Sequence, residues 1–269
     1  MKVIKLMISS VFILSLLVGC SNSTREAEKK STEDTSALDS SVENNAERNQ
    51  TNDELESYSG VSYEGATIVE ESLAFAVSYE DTEQLLTVSD IAVEGVVTAT
   101  ENYVYYMEEV GYGTPFTKVT LKVNKVIKGD ESLVGKEILL LEDGGLITAR
   151  EQGMADKFPD ATEEQLDEVC FLIPDGHKPS IPGDEIVAFL SNNIGEEIQT
   201  GFDYYYFIGT YKSKFIYNKD TENYERPSED FEELVEEAGT KEEISNIEEE
   251  IQIEEAINSQ VTELIEEME

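Results

Sequence analysis

The sequence predicts a mainly β domain, a small antiparallel barrel or sandwich with short helices, followed by a C-terminal helical tail; the class is α+β. Three observations predict it. Five or six short runs of β-branched and aromatic residues lie between Ile91 and Tyr217, separated by Gly, Pro and polar stretches. One of them, Thr117 to Ile127, alternates clearly between apolar and polar residues. After Pro227 the apolar residues change to a spacing of three and four.

The first element after the change of composition near Tyr58 is a short helix, Thr82-Glu83-Gln84-Leu85-Leu86 with Val88, ending near Ser89-Asp90. Ile91 to Thr100 is a β-rich run with Ile91, Val93, Val96 and Val97, and Tyr103-Val104-Tyr105-Tyr106 continues it. Gly111, Gly113 and Pro115 are expected to break the chain. From Thr117, Val119, Leu121 and Val123 face one way while Lys118, Thr120, Lys122 and Asn124 face the other, as in a half-buried strand. Lys128-Gly129-Asp130 turns it, and Glu137 to Leu141 is the next strand. A polar excursion over residues 143–168 is expected to hold one helical turn, at Ala161–Val169. Cys170 to Ile173 and Glu185 to Leu190 are apolar runs separated by Pro174, Pro179 and Pro182. Tyr204 to Ile208 and Lys214 to Tyr217 flank Gly209–Ser213, the pattern of a hairpin.

In the tail, Pro227-Ser228 opens a helix with Phe231, Leu234, Val235 and Ala238 on one face, and Gly239 fits its C-cap. Thr240-Lys241-Glu242-Glu243 is a capping-box pattern that starts a second helix reaching about Met268. Ile244, Ile247 and Ile251 form one stripe; Ile257, Val261, Leu264 and Met268 form another. The tail has three readings: a helix packed on its own domain, an amphipathic helix for a partner or a second copy, or a segment disordered in isolation. With one Lys against 17 acids over residues 228–269, it is a poor binder of membrane surfaces.

The first nineteen residues belong to export rather than to the fold. Met1-Lys2-Val3-Ile4-Lys5 is a basic start, and Leu6 to Val18 is a run of 13 residues interrupted only by Ser9, Ser10 and Ser15. A bilayer span needs about 20 residues, so this is the h-region of a signal peptide. Leu17-Val18-Gly19-Cys20 then resembles the bacterial lipobox, with an aliphatic residue at −3, Gly at −1 and Cys after it. The resemblance implies a diacylglyceryl group on the Cys20 sulfur and cleavage after Gly19, and two acyl chains anchor a protein stably. The expected layout is a signal peptide at 1–19, a lipidated disordered tether at 20–57, a β-rich domain at 58–217 and an acidic helical tail at 218–269. Residues 21–57 contain no aromatic residue and would span roughly 30–37 Å as a coil. The expected location is the extracytoplasmic face of the cell membrane, held by lipid.

Charge and cysteine usage narrow the partners. The whole chain carries −40; without residues 1–19, 17 Lys and Arg stand against 59 Asp and Glu, a formal −42. Nucleic acid and anionic lipid are repelled by such a body, whereas cations, basic peptides and neutral polymers are not. Cys170 is the one cysteine besides Cys20, so with Cys20 lipidated the domain has no intramolecular disulfide.

The order of the β runs also carries a resemblance. Asp90 to Val97, then Val123 to Gly129 with its aliphatic stretch ending in Lys-Gly, then Gly183 to Leu190, looks like the OB-like barrel of netrin-type modules and tissue inhibitors of metalloproteinases, and of bacterial lipoproteins with the same layout. It spans roughly residues 82–217. Those inhibitors chelate their target's zinc through a free N-terminal cysteine at the barrel edge. Here the corresponding Cys20 is acylated and tethered, so the resemblance implies the shape and not that activity.

No catalytic signature accompanies the fold. His177, the single histidine, lies in the turn-like Pro174-Asp175-Gly176-His177-Lys178-Pro179 and is expected to be exposed; Cys170 is expected to be a buried structural thiol. G-x-S-x-G, Walker A, G-x-G-x-x-G and H-E-x-x-H are absent, and zinc would need more His or Cys, so neither a catalytic residue, a metal ligand nor a cofactor is assigned. Asn218-Lys219-Asp220-Thr221-Glu222 alternates oxygen groups but lacks the Gly and the closing Glu of an EF-hand loop. With 13 Tyr and no Trp, the candidate ligand surface is tyrosine: Tyr103 and Tyr105 on one strand face, Tyr204 and Tyr206 on another. The expected function is a non-enzymatic, membrane-anchored binding or adaptor module, with a protein or peptide partner reached through the β domain or the C-terminal helix. The alternatives are a structural envelope protein responsive to calcium or a basic partner, or a hydrolase working through carboxylates.

Overall fold

A computed structural model describes residues 66–268, apart from 74, 76, 193–197 and 229–230 and the side chains of 232, 233 and 237. The expected signal peptide, Cys20, the expected tether and the first residues of the expected β domain lie outside the described residues.

Two sheets carry the chain. In the smaller, β1 (Thr67–Glu71) lies parallel to β6 (Val169–Pro174), which pairs antiparallel with β5 (Gly145–Thr148). The larger contains β2 (Ile91–Met107), β3 (Tyr112–Lys128), β4 (Glu137–Asp143), β7 (Glu185–Ser191), β8 (Tyr205–Phe207), β9 (Lys214–Asn218) and β10 (Asn223–Glu225), in the order β10-β9-β7-β2-β3-β4-β8. Because β8 pairs with β7 as well as with β4, the strands β7-β2-β3-β4-β8 close into a ring. This is the mainly β, α+β class that the sequence predicts, with the one parallel junction of the ring at β4–β8.

The ring closes because its long strands bend. Three register shifts interrupt the β2–β3 pairing, and each bulge adds local twist. Gly95 sits at one of them: a Cβ there would meet the Lys122 carbonyl oxygen at 2.4 Å. Inside the ring, Val93, Val97, Val119, Leu121, Val123, Leu140, Ile186, Ala188 and Phe207 form the main core. The residues between them in register, Ala92, Val187 and Phe189, point out of the ring into a second core. Strand β7 is thus buried on both faces, which is why Glu185 to Leu190 reads as a continuous apolar run rather than an alternation.

Helices cover that outer face. The short helix α1 (Thr82–Val88), capped by Asp81, contributes the fully buried Leu85. Two one-turn helices, α2 (Met154–Lys157) and α3 (Glu163–Leu166), lie in the excursion. After α4 (Phe231–Glu237), helix α5 (Lys241–Glu266) begins with the expected reciprocal Thr240–Glu243 capping box. Its C-terminal half lays Ile257, Val261 and Ile265 into the second core, while Ile244, Ile247 and Ile251 stay half-buried. Of the three readings of the tail, packing on its own domain describes this half. The helix also closes the open edge of β10: Thr262 accepts from the Tyr224 N–H at 2.9 Å and Asn258 from the Arg226 N–H at 2.9 Å.

The structure corrects four local expectations. Gly113 and Pro115 lie within β3, and the turn falls at 108–111, where Gly111 takes a φ of +73°. Pro115 is tolerated because β4 first pairs at Phe116, which leaves Pro115 on a free edge. Tyr205–Phe207 and Lys214–Asn218 are not a hairpin: Gly209 (φ 63°) and Thr210 (φ 55°) turn the chain left-handed, and both strands pair with β7 instead. The polar excursion hides strand β5 and a second helical turn, and β1 lies ahead of Thr82, in a stretch to which the sequence assigns no element.

The packing of α5 predicts an asymmetry along the helix. Ile257→Ala, at a site with no exposure, should cost about 2–5 kcal/mol in chemical denaturation, whereas Ile244→Ala should cost less than about 1 kcal/mol. Equal losses would contradict this docking.

Candidate functional site

The tyrosines named from the sequence separate into two places. Tyr103 packs edge-on against Phe202 with ring centroids 5.3 Å apart, and Phe202 packs likewise against Tyr204 at 5.8 Å. Lys118, itself 3.1 Å from Glu101, stands over the Phe202 ring at 4.7 Å. Burial, then the neighbouring Tyr103 and Tyr105 phenols, raises the Tyr204 pKa, so Tyr103, Tyr105 and Tyr204 share one neighbourhood. All three are half-buried. Tyr103 and Tyr105 reach it from β2, and Lys118 reaches it from the paired strand β3. Phe202 is the member that the sequence reading missed, because it stands alone between polar residues. At the tip of the same hairpin, Tyr106 and Tyr112 are 49% and 42% exposed.

Tyr206 belongs elsewhere. Its hydroxyl donates a short hydrogen bond to the Asp143 carboxylate at the end of β4. Beside it, Glu142 forms a close ion pair with Lys214, the first residue of β9, and both are buried. The second Glu142 oxygen accepts from the Ser180 N–H at 2.9 Å, and Lys214 Nζ also donates to the Lys178 carbonyl at 3.3 Å. The pair therefore has its Coulomb partner and additional hydrogen bonds, the condition under which burying two charges is tolerable.

Sequence reasoning placed His177 on the surface; the structure does not. The turn built by Asp175 (φ 46°) and Gly176 (φ 73°) brings its ring to 3.9 Å from that of Tyr211, and Nε2 is buried with no hydrogen-bond partner. Burial, and then the positive charges of Lys214 and Lys212, pull its pKa down to about 4, so the imidazole is neutral at pH 7. Cys170, expected to be fully buried, is partly exposed on β6, and burial still pushes its thiol upward, away from a reactive thiolate. The Asn218–Glu222 segment is the turn between β9 and β10. Its oxygen groups serve the turn: Asn218 Oδ1 accepts from the Asp220 N–H, and Thr221 donates to Glu225 at 2.6 Å. Among the described residues, no group of three or more His, Cys, Asp or Glu is arranged to hold a metal ion.

Asp143 opens onto a cleft of about 220 Å³ where β4 and β8 meet β1 and β6. Gly144 makes this junction possible: its φ is +95°, and a Cβ there would meet the Leu172 carbonyl oxygen at 2.8 Å. The walls include Leu73, Pro115, Leu172 and Pro174, and the polar rim is Glu71, Thr114, Asp143, Tyr206 and Thr210. A smaller cavity of about 10 Å³, bounded by Glu142, Asp143, His177, Tyr206 and Tyr211, adjoins it. Burial above all, with the negative charges of Glu142 and Glu71, holds the Asp143 carboxyl at about 6 in place of 3.8, against the opposing effect of the Tyr206 hydrogen bond. The Tyr206 phenol is raised by burial and then by Asp143, so it remains a donor.

The shifts set a pH dependence. Asp143 keeps its proton in the folded chain where the unfolded chain has lost it, so its stabilising contribution is present below about pH 4 and lost as pH rises through about 6. His177 acts oppositely, its contribution being lost as pH falls from about 6.5 to about 4. Comparing wild type with Asp143→Asn isolates the first effect. The variant's melting temperature relative to wild type should rise between about pH 4 and about pH 7; a difference independent of pH would contradict the assignment.

Comparison of the chain with models of known protein families, with curated proteins and with solved structures found no match in any of the three.

Proposed function

We propose that this chain is a non-enzymatic binding module of the bacterial envelope, anchored by lipid on Cys20 and presenting a half-exposed aromatic surface to a peptide segment of a partner protein. The observation that carries the reading is the continuous file Tyr103–Phe202–Tyr204, with Lys118 over its centre and Glu101 beside Lys118. Aromatic rings offer contact area at low entropic cost, and the paired charges at the border give orientation to a polar backbone. The rings are wedged edge to face, so the surface exists before the ligand arrives. Lys118 is paired with Glu101, and the carboxylates of Asp203 and Glu137 line the concavity that Phe202 and Tyr204 share, so the surface stays acidic and accepts a peptide that is neutral or basic.

The lipobox at Leu17–Cys20 supports the location, with two acyl chains holding the body at the membrane. No helix among the described residues is long and apolar enough to cross a membrane.

Two experiments test the proposal. Cys20→Ala should accumulate as an unprocessed precursor on immunoblots of fractionated cells; processing and membrane retention like wild type would end the lipoprotein reading. On peptide and glycan arrays probed with the detergent-solubilised protein, Phe202→Ala and Tyr103→Ala should each weaken peptide capture about tenfold. Retention on glycans alone, or capture unchanged in both variants, would refute the peptide assignment.

A further inference from the structure

We infer that the Asp143 cleft is a binding site for an organic ammonium group carried on a short aliphatic stem, at a place none of whose lining residues belongs to the aromatic surface. The lining combines two features. Its ionisable groups are Asp143, Glu71 and the phenol of Tyr206, with no Lys, Arg or His among the cleft residues. Its other walls are largely apolar, from Leu73, Pro115, Leu172 and Pro174, with the Thr114 and Thr210 hydroxyls at the rim. A carboxylate, hydroxyls able to accept N–H bonds and a greasy sleeve match an alkylammonium ion: the three N–H donors go to Asp143 and the neighbouring hydroxyls, and the methylenes lie along the sleeve.

Size and ligand geometry favour this class over the obvious competitor. A cleft of about 220 Å³ is below the usual range for drug-sized ligands and fits a chain of a few carbons. Calcium requires six to eight oxygens and a largely polar shell, whereas four of these walls are apolar and no metal-holding group of three acids, His or Cys exists among the described residues. The adjoining cavity, lined by Glu142, Asp143 and His177, shares Asp143, Pro174, Tyr206 and Thr210 with the cleft, so the Asp143 carboxyl lies between the two. The formal charge of −40 raises the local concentration of any cation approaching it.

Binding is coupled to a proton. The groups facing Asp143 are Tyr206 from β8, Glu71 from β1, Glu142 with its Lys214 partner, and His177 and Tyr211 across the small cavity. An ammonium ion needs Asp143 ionised, and the free carboxyl titrates at about 6. Affinity should therefore rise about tenfold between about pH 5 and about pH 7, with a proton released on binding.

Calorimetric titration of the detergent-solubilised full chain with n-pentylamine, with an acetylated lysine amide, with 1-pentanol and with calcium chloride at constant ionic strength tests this. The amine and the lysine derivative should bind, with the pH dependence just given, and Asp143→Asn should weaken both about tenfold. Glu71→Gln, at an exposed rim position that folding tolerates, should weaken both about twofold to threefold even if Asp143→Asn proves unstable. Tighter binding of the lysine derivative marks a protein partner's side chain as the source, and tighter binding of pentylamine marks a free amine; both support the site. Pentanol binding as well as pentylamine, calcium displacing the amine, or amine affinity unaffected by pH and by both substitutions overturns it.

Discussion

Glu142 and Lys214 carry opposite charges into the interior, with 7% and 0% of their surface exposed, and much of the molecule is arranged around holding them there. The pair joins the last residues of β4 to the first of β9 and draws in the backbone of the 178–180 segment through Ser180 and Lys178. Breaking such a pair strands a charge in low dielectric, at a typical cost of about 3–5 kcal/mol. Its consequences spread to both neighbours. Burial, with the Lys214 charge added, pulls the His177 pKa down to about 4, while burial, with the Glu142 charge added, holds the Asp143 carboxyl at about 6. The two charges of the pair thus add, in opposite directions, to what burial does to its two neighbours.

The pair also marks where the two layers of the core meet. Lys214 starts β9, which leaves the left-handed turn at Gly209–Thr210 and runs beside β7, so Phe215 packs in the outer core while Ile216 lies against the inner one. β7 can be apolar on both sides only because α1 and α5 shield its outer face. The same helix supplies side-chain acceptors to the free edge of β10, and Arg226 ties that edge to Glu254 of α5 and to the Tyr79 carbonyl. A strongly acidic helix is thus held to an acidic body by buried apolar side chains, a few directed hydrogen bonds and the buried Arg226–Glu254 ion pair.

The two surfaces given functional readings differ in the same physical terms. The aromatic file is half-open, held by ring packing beside a twisted hairpin, and suits a ligand that lies across it. The Asp143 cleft is concave and acidic, formed where a glycine lets the chain pass from one sheet to the other, and suits a group that enters end-on. The proposed anchoring at Cys20 would keep both surfaces close to the membrane.

How much was legible in the sequence follows from the range of the interactions. Period-two alternation in β3, the capping box at Thr240 and the apolar run of β7 are local signals, and they located strands, helix start and fold class. The proposed lipobox rests on four consecutive residues, Leu17 to Cys20, and is likewise argued without a fold. The neighbourhood of Tyr103, Tyr105 and Tyr204 was half legible: the tyrosines could be picked by type, but Phe202 joins them only through folding. Asp143, Glu142, His177 and Tyr206 were not legible as a group, because 59 acids offer no means of telling a buried carboxyl from a solvated one. Burial decides their protonation, and burial depends on ring closure through β8 and on sheet-to-sheet contact at Gly144, pairings between residues far apart in the chain. The sequence by itself determined the class and the main strands; the tertiary structure alone decided which charges lie inside, since desolvation depends on everything that surrounds a side chain.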